Sequence, residues 1–258
     1  MFCSCLQKQN TISSARKDQR ILLSVRRNEY HLHNVDRILN LMRMGDLTEE
    51  NQQKRQSVDV MLCQAFNNLM NIRLNNPRDS IQSFLVKVNQ LYPNKLLNEN
   101  TNLLVVGLYS STGMKKRLKS GKLKYDSATN SSQGHFILAT LDLIEAKVTF
   151  IDSLNEKIHK SSFFDFPMVA QTFVDIYACI KLMKKEEASQ LSFNQKLMKT
   201  QIASDCGLHL CANAELILKN LCPSKQNFRD ENIKQIRQYH FLLCDETIKT
   251  FRLDLNCQ

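Results

Sequence analysis

Tryptophan is absent from the 258 residues, and glycine (6) and proline (4) are scarce. That excludes collagen-like and glycine- or proline-rich low-complexity chains, while 43% hydrophobic and 23% charged residues are the make-up of a folded globular protein. No apolar run reaches 18 residues, and residues 1–10 (MFCSCLQKQN) lack the basic start and apolar stretch of a signal peptide. The expectation is a chain that neither spans a membrane nor is secreted. A compact disulfide scaffold is missing too. The nine cysteines, at 3, 5, 63, 179, 206, 211, 222, 244 and 257, are odd in number and dispersed, so they read as reduced thiols inside the cell, in nucleus or cytoplasm.

Charge is present in excess of one sign. Lysine and arginine number 35 against 25 acidic residues, a net of +10, which favours nucleic acid, acidic lipid or an acidic protein as partner. One patch is dense: Lys115, Lys116, Arg117, Lys119, Lys122 and Lys124, in a segment rich in Ser, Asn and Gly. It reads as a solvated loop, so neither a specific nucleic-acid partner nor a membrane is expected. Cys3 and Cys5 follow Phe2 rather than a glycine, and no CaaX ending supports acylation.

Hydropathy patterning divides the chain into a polar, basic, partly disordered extension over 1–56 and a folded domain over 57–258. Within the extension, Val35, Ile38, Leu39 and Met42 predict a short helix stopped by Gly45. Ser57 reads as the N-cap of a helix over 58–70, with Asn75-Asn76-Pro77 ending it and a further helix over 81–91. Strands are predicted at 103–109, 135–143 and 147–152, the last two joined by a hairpin at 144–146. A long amphipathic helix over 164–183 and a polar linker reaching 200 follow. Residues 206–221 (CGLHLCANAELILKNL) are apolar on most sides, which predicts a buried helix ended near Pro223, and a last helix covers about 229–243. This order indicates an α+β domain.

Two segments place polar groups at the boundaries of buried elements: GHFILATLDLIEAKVTFIDSL (134–154) and QIASDCGLHL (201–210). In an antiparallel pair joined by a short turn, the start of one strand lies beside the end of the next, so His135 and Asp152 become neighbours. A carboxylate on one ring nitrogen fixes the tautomer and leaves the other nitrogen for a reaction partner. Cys206 opens the buried helix after Asp205 and before Gly207. The helix dipole and a nearby imidazolium both favour its thiolate, the form that acts as nucleophile. The Gln201 side-chain amide and the Cys206 backbone N–H form a candidate oxyanion hole. Taken singly, Cys206 is a core thiol and His135 a structural histidine; their ordered partners favour catalysis. Cys206, His209, Cys211 and Cys222 match no paired CxxC spacing, so no metal is expected.

Gly-His-aromatic leading an apolar strand, an Asp closing the next strand, and Gln-x3-Asp-Cys-Gly opening an apolar helix together resemble the SUMO-specific (ubiquitin-like-protein-specific) cysteine proteases, and more distantly the adenoviral protease. The resemblance spans about 57–243. It implies a papain-like α+β fold with the nucleophile opening a central helix packed on a small mixed sheet. It implies His135 as general base, Asp152 as its orienting partner, Gln201 as oxyanion donor and Cys206 as nucleophile, with no cofactor. Phe136 stands where the family usually carries Trp, and the Gln201–Cys206 interval is one residue shorter than in modifier-processing members. The implied activity is cleavage after the C-terminal glycine of a ubiquitin-like modifier, SUMO-like first, by a monomer whose partner is the modifier or a modified protein. The alternatives are a viral or mobile-element polyprotein protease, a Cys-His acyltransferase, and an inactive modifier-binding pseudoprotease.

Overall fold

A computed structural model describes residues 30–44, 57–93, 96–111, 134–153, 158, 163–198, 205–223 and 230–244. Among these, the elements run α1 (Leu32–Met44), β1 (Val58–Met61), α2 (Cys63–Asn75), α3 (Ile81–Leu91), β2 (Leu103–Ser111), β3 (Gly134–Asp142), β4 (Lys147–Asp152), α4 (Phe166–Lys184), β5 (Ser192–Leu197), α5 (Cys206–Leu218) and α6 (Asp230–Cys244). The strands form one mixed sheet in the order β1-β2-β3-β4-β5. Its centre, β2-β3-β4, is antiparallel, and β1 and β5 are added in parallel at the two edges.

Alternation along the strands sorts the core into two layers. Ile137, Ala139 and Leu141 of β3 join Phe66, Phe84, Phe150 and Phe173 in a cluster built with α2, α3 and α4. Phe136 and Leu138 face the other way, into a cluster with Val35, Ile38, Leu208, Cys211 and Ile236 from α1, α5 and α6. In the first layer the Phe66 and Phe173 rings lie 4.9 Å apart, and Phe150 meets Phe173 edge-on at 5.8 Å, the separations at which aromatic pairs attract beyond simple burial.

Sequence and structure part company at three places. Residues 58–61, expected as the first turn of a helix, form β1, because Val58 and Val60 suit a strand and residues 58–61 pair in register with 103–106. The helix then starts at Cys63, and its cap comes from elsewhere: the Asp36 carboxylate of α1 accepts the Cys63 and Gln64 backbone N–H groups at 2.7 and 3.0 Å. Residues 192–197, expected as linker, form edge strand β5, whose polar side chains need only one covered face. α1, expected within a loosely ordered extension, buries Val35, Ile38, Leu39 and Met42 against the layer that contains α5. The hairpin is as expected: Asp142 accepts the Ile144 and Glu145 N–H groups, and Ala146 takes the positive φ of 48° that closes the turn.

One buried ion pair ties α2 to α4. Arg73 Nε and Nη2 grip Asp175 at 2.6 and 2.8 Å, the Gln171 amide donates to the same carboxylate, and Arg73 Nη1 reaches the Asp79 carbonyl. Both side chains are under 10% exposed, so removing either partner strands a charge in the interior. Arg73→Met is expected to lower the unfolding free energy by roughly 3–5 kcal/mol. Urea unfolding measures this, and a shift of less than about 1 kcal/mol would mean the pair behaves as a surface contact.

Candidate active site

The edge of the sheet where β3 begins and β4 ends carries His135 and Asp152. β3 and β4 pair Leu138 with Ile151, so extending the register by one places Asp152 opposite Ile137, two residues from His135 on the same face. His135 Nε2 lies 2.9 Å from Asp152 Oδ1, and both side chains are 2% exposed. A Cβ at Gly134 would collide with the Tyr109 ring, which meets Phe136 in a tilted pair at 4.6 Å.

Cys206 opens α5, the helix whose first eleven residues are all buried. Asp152 holds His135 through Nε2, and Cys206 lies near enough to the same imidazole to act on its charge. Burial works against that charge, but the bond to Asp152, with Cys206 beside the ring, outweighs burial and raises its pKa to about 9. Below that pH the ring is an imidazolium facing Cys206. Two other buried cysteines have the opposite setting. Burial, reinforced by Asp36, pushes the Cys63 thiol well up, and burial with Asp175 nearby pushes Cys179 to about 12, so both stay protonated core residues.

The helix start contributes as well. The intrahelical ladder begins with His209 N–H donating to the Asp205 carbonyl, so the N–H groups before it open toward the end that carries Cys206. Asp205, in the N-cap position, makes no side-chain capping bond; Arg237 of α6 holds its carboxylate at 2.9 Å. Gly207 is required because a Cβ there would meet Tyr30 Cβ at 2.5 Å. One turn on, burial keeps His209 neutral, with a pKa lowered to about 4.

Of the four residues expected at the site, the structure brings His135, Asp152 and Cys206 together, while Gln201 lies outside the described residues, as does the basic segment 115–124. Sequence reasoning missed Phe163 and Phe164, whose rings lie 5.3 and 6.2 Å from the imidazole. Ser110, opposite His135 in the sheet, bonds the Phe163 carbonyl and fixes that segment over the histidine. Arg237 and Tyr30 were missed as well. No spacing rule connects any of these to the Asp-Cys-Gly triplet, since the contacts form only when distant elements pack.

A cysteine opening a buried helix beside a histidine–aspartate pair at the edge of a mixed sheet is an arrangement suited to cysteine-protease chemistry. The model of the Ulp1 protease family, C-terminal catalytic domain, matches residues 129–250. Among curated protein sequences none matches the chain. Among solved structures, the C-terminal Ulp1 protease domain in complex with SMT3, the yeast ortholog of SUMO, is similar at a TM-score of 0.56 and 12% identity, over 89% of this chain and 83% of that one. A de-sumoylating protease is similar at 0.53 and 14% identity, over 87% and 85%. Ulp1 with its catalytic cysteine oxidised to a sulfinic acid is similar at 0.55 and 12% identity, over 89% and 84%. These likenesses establish a Ulp1-like fold, as the sequence predicted.

Proposed function

We propose that the protein cleaves the amide or isopeptide bond after the C-terminal glycine of a ubiquitin-like modifier, SUMO-like in the first instance, using Cys206, His135 and Asp152 as its triad. The observation that carries this reading is the imidazole bonded to the Asp152 carboxylate and close enough to Cys206 to be influenced by it. His135 takes the proton of the Cys206 thiol as the sulfur bonds to the carbonyl carbon. Backbone N–H groups at the start of α5, with the Gln201 amide as second donor, receive the developing oxyanion. As the C–N bond breaks, His135 gives its proton to the leaving amine. Water, deprotonated by His135, then attacks the thioester and releases the modifier's carboxylate, and the proton returns to the Cys206–His135 pair. The likeness to a Ulp1 domain captured with a SUMO ortholog supports the choice of modifier. The spread of free thiols supports action in a reducing compartment of the cell.

Fluorogenic C-terminal amides of SUMO-type modifiers and of ubiquitin test the proposal. Release from at least one modifier is expected, with little from a peptide of the modifier's last residues alone. Were no modifier cleaved while iodoacetamide still alkylates Cys206, modifier processing would be abandoned in favour of polyprotein cleavage or acyl transfer.

A further inference from the structure

The two residues flanking Cys206 are both held by one turn of α6. Arg237 Nη2 donates to Asp205 Oδ2 at 2.9 Å across 32 residues of sequence. Three residues along the same helix, His240 Nδ1 lies 3.0 Å from the Tyr30 hydroxyl, and Tyr30 is the residue packed against Gly207. Residues 237 and 240 share a helix face, so this is one clamp with two jaws. Burial of His240 lowers its pKa to about 3, so the jaw that carries Tyr30 is a neutral hydrogen bond between the imidazole and the hydroxyl.

The arrangement has a chemical consequence at the helix start. Aspartate is among the best N-cap residues because its carboxylate accepts from the first free amides of its helix. A carboxylate capping α5 would occupy those amides and set a negative charge beside a thiolate and the oxyanion that follows. Asp205 makes no such bond. We infer that Arg237 and Tyr30 are positioning residues for the nucleophile. Arg237 draws the Asp205 carboxylate off the amides that open α5, and Tyr30, braced by His240, fixes the backbone at Gly207. This inference rests on the reading of Cys206 as nucleophile.

The test is steady-state cleavage of whichever fluorogenic modifier amide the protein accepts, together with the rate at which iodoacetamide alkylates Cys206, read by peptide mass. Arg237→Gln is expected to lower kcat about tenfold with KM within about twofold, and to slow alkylation. Arg237→Lys should keep most of both rates. Adding Asp205→Ala to Arg237→Gln should recover part of the loss, since the loosened carboxylate is then gone; a purely structural pair would show no recovery. Tyr30→Phe, which keeps the ring on Gly207 and loses only the hydroxyl, should lower kcat a few-fold and serves if Arg237→Gln does not fold. Unchanged kcat and alkylation in folded Arg237→Gln or in Tyr30→Phe, or a double variant slower than Arg237→Gln, would overturn the inference. Cleavage that survives Cys206→Ala would instead remove the reading beneath it.

Discussion

Cys206→Ala is expected to reduce cleavage of the accepted modifier by roughly 10⁴-fold or more, with the fold and the affinity for the modifier retained. The effect is this large because the sulfur forms the bond, and the other members of the triad have nothing to activate once it is gone. The substitution removes one buried sulfur from the start of α5, and alanine suits a helix, so loss of folding does not explain loss of activity. Cys63 and Cys179 cannot take over. Burial keeps both protonated. Cleavage above about 1% of wild type in the alanine variant would show that another group is the nucleophile.

Asp152→Asn should lower kcat by roughly 10²- to 10⁴-fold, and it should also move the alkaline limit of activity. His135 titrates near 9 although burial alone would depress it, and the bond to Asp152 leads the effects that raise it. The folded value lies above the unfolded one, so the stabilising imidazolium is fully formed below about pH 6.5 and is lost as pH rises through about 9. Cleavage needs that proton for the leaving amine, so kcat should fall above about pH 9 in the wild type. With asparagine in place of the carboxylate, the imidazolium loses its partner and the limit moves to lower pH. Alkylation of Cys206 by iodoacetamide is the internal control, since a thiolate still reacts after His135 has lost its proton. A kcat profile in Asp152→Asn with the same alkaline limit as wild type would mean that Asp152 does not set the charge state of His135.

How much of this was legible in the sequence depends on distance along the chain. His135 and Asp152 could be paired in advance because one short turn separates their strands, and the period of two fixes which residues meet. Cys206 could be placed at a helix start because Asp205, Gly207 and the apolar stretch after them are local signals. β1 was hidden because four residues of strand directly preceding a helix look like its first turn, and only pairing with 103–106 decides the matter. The cap of α2 was hidden for the same reason, as it is supplied by Asp36 from another helix. β5 carries polar residues that an edge strand tolerates and a propensity argument rejects. Phe163, Tyr30 and Arg237 reach the site only through tertiary packing. What the chain writes locally was readable, and what it achieves by bringing α1 and α6 onto α5 was not.

The most direct test of the account is intact mass, followed by peptide mapping, after incubating the protein with SUMO-type modifiers and ubiquitin carrying a C-terminal vinyl methyl ester. The account predicts one adduct, mapped to Cys206, with at least one modifier and none in Cys206→Ala. The exposed Cys222 provides the contrast, because a thiol that is merely accessible should not react selectively with a modifier-borne electrophile. An adduct at Cys222, or one that persists in Cys206→Ala, would contradict the assignment of Cys206 as the nucleophile.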